Sequence, residues 1–426
     1  MTKTTSFPDN QNFIQTLFFR LFFCYYILYA FPFPLEYIPF GHYFGMWTYD
    51  FWKWLVPIVA ENIFHIDKEL TLPNGSGDTT FNYIQVFTQL LIAILATTIW
   101  TLSSNKRKTH SKLYIYLIVY LRYYLAFYML SYGSSKLFVN QFSSLSLFDL
   151  ITPYGDSSPM GLMWNFMEYS DSYTIFSGVS EIIGGLLLMF RRTTKLGALV
   201  TFGVMLNVFM MNLSYDIPVK LFSSHLMIIA LFILSPHLKS LTNFFILNKP
   251  AMPVSIDKYF VKRKLNIAGL IFKTIFILFL LITFTTNQIR RHNINRDIAS
   301  YPELYGIYTI NSFSKNGKEI IPLATDSLHW KKMVVDKYST AIIKLDDSKE
   351  YYKNETDTTS RNLKLTLYRD SLSVYNLKYQ KSDSILNLEG TYLQDTLKIE
   401  LTKKDHTQFR LLKRGFNWIN EYPYNR

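Results

Sequence analysis

The residues with chemistry to offer sit where water should be scarce. Six ionisable side chains, Arg122, Lys136, Glu181, Asp216, Lys220 and His225, fall in or beside long apolar stretches between positions 114 and 236. A charge at bilayer depth costs about 2.5–3.5 kcal/mol even on a lenient insertion scale, so each needs a partner or a polar cavity. Arg122 and Lys136 lie about four turns apart on nearly the same face of one helix, and Asp216 and Lys220 about one turn apart. The signs allow Arg122 or Lys136 to neutralise Glu181, and Asp216 to neutralise Lys220. Two readings stay open. The pairs could lock a helix bundle, with Lys136 and Lys220 reaching the outer interface. They could instead line a polar cavity for a quinone headgroup, an anion or a proton, with Glu181 and His225 as transfer groups. Asn207 and Asn212 add polar atoms to the same block.

Smaller signals lie outside this group. Gly75-Ser76-Gly77-Asp78-Thr79-Thr80 precedes an apolar stretch. It reads as a turn with a helix cap, or as a backbone nest for an anion at a helix N-terminus built on Gly75, Gly77, Asp78 and Thr79. His42, His65 and His225 have no ligand spacing, so no metal site is expected. A single cysteine, Cys24, excludes an intramolecular disulfide, a Cys-x-x-Cys pair and multi-thiolate metal sites. Phosphate-binding loops, dinucleotide fingerprints, nucleophile elbows and His-Glu-x-x-His motifs are absent from the sequence.

The elements that must hold these residues are membrane helices. In 426 residues, aromatics reach 17% while charged residues fall to 18%, below the usual quarter, and the charge is concentrated after residue 300. Seven stretches are long and apolar enough to span lipid, at about 13–33, 82–102, 114–137, 174–190, 196–214, 217–236 and 265–284. The first carries Arg20 and is too long for a cleaved signal peptide. Lys and Arg gather in alternate loops: Lys3; Lys106, Arg107, Lys108 and Lys112; Arg191, Arg192 and Lys195; then Lys239, Lys249, Lys258, Lys262, Arg263 and Lys264. The opposite loops hold little beyond Lys53 and Lys68, and 138–174 has none. By the positive-inside rule the N-terminus is cytoplasmic and everything after Thr285 lies outside. The net charge of +13 therefore reports topology, and no nucleic-acid partner is expected. The outer loop 34–81, with Trp52, Trp54, Leu55 and Ile58, reads as an interfacial segment in which Pro57 limits helical continuity.

After a basic connector with Arg290, Arg291 and Arg296, the hydrophobic period changes to two: Leu363, Leu365 and Leu367 alternate with polar residues, as do Leu397, Ile399 and Leu401. About eight short strands are expected, near 306–313, 330–335, 341–345, 363–368, 372–377, 385–388, 397–401 and 409–412, as an antiparallel barrel or open sandwich. Gly306-Ile307-Tyr308 faintly resembles the first-strand signature of lipocalin-type barrels. Alternation alone leaves open whether such a barrel holds a ligand or is filled. Asn354-Glu355-Thr356 fits a glycosylation acceptor, and the aromatic tail 414–423 reads as extended, docking on the domain or on a membrane surface. The chain thus divides into a two-helix extension (1–113), a four-helix unit (114–236), a basic loop with the seventh helix (237–299) and an extracytoplasmic β domain (300–426).

The four-helix unit resembles the DoxX-like family of membrane proteins. The carrying residues are Leu121-Arg122, Gly133-x-x-Lys136-Leu137, Gly178-x-x-Glu181-x-x-Gly184-Gly185 and Leu196-Gly197-Ala198. With 212–221 and the tail 416–426, the whole chain is similar to larger DoxX-like proteins of Bacteroidetes-type bacteria. The resemblance implies a multi-pass protein of the bacterial inner membrane, a link to membrane oxidoreductase complexes including a thiosulfate:quinone oxidoreductase, and a quinone as the group bound. The expected partners are the lipid bilayer and a periplasmic or redox protein that supplies electrons. Two other functions fit the same residues: a non-enzymatic scaffold or envelope-assembly subunit binding its partner through the β domain, and a carrier of small solutes or ions.

Overall fold

A computed structural model describes residues 12–38, 40–104, 111–142, 144–250, 263–298, 301–323 and 328–425. Lys3, Lys106, Arg107, Lys108, Lys258 and Lys262, part of the charge asymmetry, lie outside the described residues, as does the Arg296 side chain. The chain forms two compact units, Met1–Ser143 with Ser158–His292, and Ser144–Ser157 with Asn293–Arg426.

The first unit is helical: α1 (Phe13–Ala30), α2 (His42–Phe64), α3 (Thr80–Ser103) and α4 (Ser111–Leu137) precede the short α5 (Leu147–Ile151), which belongs to the second unit. Then follow α6 (Pro159–Tyr169), α7 (Asp171–Met189), α8 (Thr194–Ser214), α9 (Lys220–Leu234), α10 (Leu238–Phe245) and α11 (Arg263–Ile298). Among the described residues seven helical segments are long and apolar enough to cross a membrane, and they coincide with the seven stretches legible in the sequence. The outer loop needs a correction. Helix α2 runs for 23 residues with Pro57 inside it. A proline removes one i→i−4 bond; the apolar stripe Trp52, Val56 and Ala60, buried with Phe81 and Ile84 of α3, holds the helix together across that gap.

Helix α4 is the core of this unit, with Leu117, Leu121, Leu125 and Leu130 buried. It meets α7 at a glycine crossing. A Cβ on Gly178 would lie 2.7 Å from the Gly133 carbonyl oxygen and 2.8 Å from the Lys136 Cβ; one on Gly133 would lie 2.8 Å from the Gly178 carbonyl oxygen. Lipid tails are as apolar as leucine, so close backbone packing rather than hydrophobic burial holds such helices together. Gly178→Leu should therefore push α7 off α4 and destabilise the helical unit by about 1–3 kcal/mol or more, read as a lower midpoint in a detergent-unfolding titration. An unchanged midpoint would show that the crossing contributes nothing.

The second unit is a β-barrel of β1 (Gly306–Lys315), β2 (Lys318–Glu319), β3 (Trp330–Val335), β4 (Thr340–Lys344), β5 (Lys349–Asp357), β6 (Asn362–Leu367), β7 (Asp370–Ser382), β8 (Ile385–Tyr392) and β9 (Asp395–Lys404). Each strand from β3 to β9 pairs antiparallel with the next, β1 pairs with β3, and β9 returns to β1, so eight strands close while β2 is a two-residue flap on the end of β1. The barrel alternative is correct, with two local corrections. The strand expected at 409–412 is helical, α12 (Arg410–Lys413). The eighth strand is instead β5, whose sequence KEYYKNETD buries only Tyr352 and so lacks the apolar alternation that marks a strand.

Inward-facing Leu363, Leu365, Leu386, Leu388, Leu397, Ile399 and Leu401 share the interior with large rings. Trp330 stands edge-on to Tyr375 at 5.2 Å between centroids, and Tyr375 packs on Tyr352 and stacks on Tyr392. Of the lipocalin-like tripeptide, Tyr308 points inward and donates to the Leu304 carbonyl, whereas Ile307 packs outward with Leu147 of α5. At the β5–β6 turn Asp357 accepts from Thr359 N, Ser360 N and Ser360 Oγ, bonds that hold its carboxyl below the usual carboxylate range. Asn354 of the glycosylation tripeptide donates to Thr340 Oγ1. In the tail, Trp418 is 90% exposed and Arg414 lies over the Tyr424 ring.

Candidate functional site

Lys136, in the last turn of α4, and Glu181, midway along α7, meet across the glycine crossing: Nζ is 2.7 Å from Oε1, and both side chains are almost fully buried. Gly178 lies three residues before Glu181, Gly133 three before Lys136, so the spacing that lets the backbones touch also brings the charges together. Only one carboxylate oxygen is used. Oε2 of Glu181 is buried with no hydrogen-bond partner among the described residues, and so is Oε1 of Gln141. The Lys136 ammonium also lies 5.9 Å from the centre of the Tyr132 ring.

The pair forms part of the wall of a cavity of about 640 Å³ lined by α4, α6, α7, α8 and α9, within the range of roughly 300–1,000 Å³ common for small-molecule sites. Most of the wall is apolar and adaptable: Met129, Met163, Met167, Met205 and Met211, with Trp164. Polar groups are few. Asn207, Ser177 and Ser180 join Lys136, Glu181 and Gln141, and Asn212 donates to Ser223 Oγ at 2.9 Å. An oily chamber with one ion pair in its wall suits a molecule with an apolar body and a polar head that can hydrogen-bond or exchange a proton.

Apart from Gly75, the other sequence candidates stand away from this chamber. Arg122 does not reach Glu181. Its Nη1 donates to Thr194 Oγ1 at 3.1 Å, its Nε is buried without a partner among the described residues, and the guanidinium lies over the Tyr123 ring. Lys220 pairs with Asp216 at 2.8 Å, and Asp78 lies 3.8 Å from the same ammonium. The carboxylate of Asp78 accepts from the backbone N–H groups of Lys220 and Leu221 at 2.7 and 2.9 Å, so it is itself the anion at the start of α9. Thr79 caps α3 in a reciprocal pair with Asn82, Gly77 N donates to the Pro218 carbonyl, and Gly75 lies at the cavity rim. The polar groups of Asp78 and Thr79 are thus engaged within the protein. His225 contacts the Leu221 carbonyl through Nδ1 and the Tyr25 hydroxyl through Nε2, both at 2.6 Å, and stacks on Tyr29. Because a carbonyl can only accept, Nδ1 carries the proton and Nε2 accepts from Tyr25.

Sequence reasoning missed α6. The stretch 138–174 reads as a loop without cations, yet Pro159–Tyr169 is a helix that presents Met160, Met163, Trp164 and Met167 to the cavity. The signal is present: Ser158 caps, Pro159 takes the first helical position, and the apolar residues recur at three and four. Tyr132 and Gln141 were also missed, since neither carries a charge that would mark it.

Residues 117–212, from α4 to the end of α8, match the family model for DoxX. This part of the chain is a DoxX domain. The uncharacterized protein YwoB of Bacillus subtilis (strain 168) is 32% identical over 106 residues, covering 24% of this chain and 65% of that protein, so the chain spans a little under two-thirds of that relative. No solved structure matches. The DoxX domain supplies both members of the ion pair and most of the cavity wall. Helix α9, which closes the wall with Phe222 and Leu226, lies beyond the matched residues, as do α1–α3 and the barrel.

Proposed function

We propose that this multi-pass DoxX-domain protein binds a quinone-like amphiphile in the chamber between α4 and α9, its ring beside Lys136 and Glu181 and its tail among the methionines. The observation that carries the reading is the buried Lys136–Glu181 pair at the wall of a largely apolar cavity, with the second carboxylate oxygen buried and unpartnered among the described residues. The Lys136 ammonium would donate to a quinone carbonyl and Glu181 would exchange a proton with the ring oxygen. Reduction to the quinol takes two electrons and two protons. A redox partner protein would supply the electrons, making the chain a component of a quinone-linked oxidoreductase in the bacterial inner membrane. The Lys and Arg of alternate loops support a cytoplasmic N-terminus, and with seven spans the barrel would lie on the periplasmic side, where such a partner could dock.

The test is titration of the detergent-purified protein with a short-chain benzoquinone, following quenching of Trp164, with Trp164→Phe as the blank. Saturable quenching, weakened on the order of tenfold in Glu181→Gln while the variant stays folded, is expected. Quenching that never saturates, or that is identical in Glu181→Gln, would remove the reading.

A further inference from the structure

A second cavity, of about 210 Å³, lies among α1, α2 and α3 in the part of the chain that precedes the DoxX domain. That volume is about seven waters' share of the liquid, too small for a drug-sized molecule and suited to a compact head group. Glu36 contributes a carboxylate, Gln85 and Gln89 contribute amides, and the rings of Tyr29, Tyr49 and Trp52 complete the wall. Gln89 is 97% buried by accessible area, and its Oε1 has no hydrogen-bond partner among the described residues. None of the ion pairs among the described residues involves Glu36. Gly45 keeps the space over the carboxylate clear: even a Cβ there would lie 3.6 Å from Oε2.

The wall carries the Glu36 carboxylate and the rings of Tyr29, Phe31, Tyr49, Trp52 and Phe81, and no lysine, arginine or histidine. Aromatic faces attract cations, most strongly when water is excluded, and carboxylate with amide oxygens adds to that field. A hard metal ion would want six or more oxygens, and among the described residues no three His, Cys, Asp or Glu side chains converge on a point. We infer that this cavity is a binding site for a small organic ammonium group, held by the Glu36 carboxylate beside the rings of Tyr29, Tyr49 and Trp52. The group could be a free solute or the head of an amine-bearing lipid. This site is separate from the quinone chamber and stands or falls without it.

Calorimetric titration of the full-length protein with choline chloride, in a detergent free of amine head groups, tests the inference. Saturable binding is expected, weakened on the order of tenfold or more in Glu36→Gln. The neutral analogue 3,3-dimethyl-1-butanol, which keeps the shape and loses the charge, should give no saturable heat. Repeating the choline titration in phosphatidylethanolamine and phosphatidylglycerol nanodiscs separates the sources: competition only by the former identifies a lipid head, and no competition by either a free solute. Equal binding of the neutral analogue, unchanged affinity in Glu36→Gln, or no binding by a folded protein would overturn the assignment.

Discussion

Lys136→Met should destabilise the helical unit by about 3–5 kcal/mol, because it strands the Glu181 carboxylate at a site where nothing else among the described residues can neutralise it. Arg122 is no substitute. It lies fourteen residues back along α4, about 21 Å of helix, and is held by Thr194. Removing both charges should cost far less, since replacing a buried pair by apolar groups of similar volume is often close to neutral. The double variant Lys136→Met/Glu181→Met is therefore expected to be more stable than Lys136→Met alone. The measurement is a double-mutant cycle from unfolding midpoints in mixed micelles. A coupling of about 1 kcal/mol or more is predicted, and strictly additive costs would show that the two groups do not act as a pair.

Trp330→Ala is the second large effect, at about 3–5 kcal/mol. Trp330 is fully buried in the barrel interior, and its indole separates Phe313 from Tyr375. No neighbour can swing in to fill a hole of that size, since Tyr375 is already committed to Tyr352 and Tyr392. The check is limited proteolysis against urea concentration, following cleavage between residues 306 and 404. Cleavage should begin at clearly lower urea in the variant, whereas equal protection would mean that the interior is loose enough to repack. Outside the barrel, Phe416 and Trp418 of the tail are exposed.

The fold was legible wherever one physical rule dominates. Apolar runs of the right length give the seven spans because lipid tolerates little else, and period-two alternation gives β6, β8 and β9 because each has one dry face. It was illegible where that rule is relaxed. Strand β5 buries one side chain and is held by ladder bonds to β4 and β6, which no local pattern reveals. Helix α2 continues past Pro57 because α3 packs on it, a tertiary fact. At the site, the sequence named both partners of the ion pair but could not choose between Arg122 and Lys136, since depth along a helix does not fix which neighbour a side chain faces. The chamber itself was hidden for a related reason: methionines and a tryptophan on α6 read the same whether they fill a core or line a void.

The measurement that bears most directly on the central claim is the electron density of the chamber in a structure of the protein purified from its native membrane into nanodiscs. The expected density is an elongated molecule whose polar end lies within hydrogen-bond distance of Lys136 Nζ or the Glu181 carboxylate and whose tail runs past Met163 and Met205. A chamber collapsed onto itself, or one holding only an acyl chain whose polar end is remote from the Lys136–Glu181 pair, would contradict it.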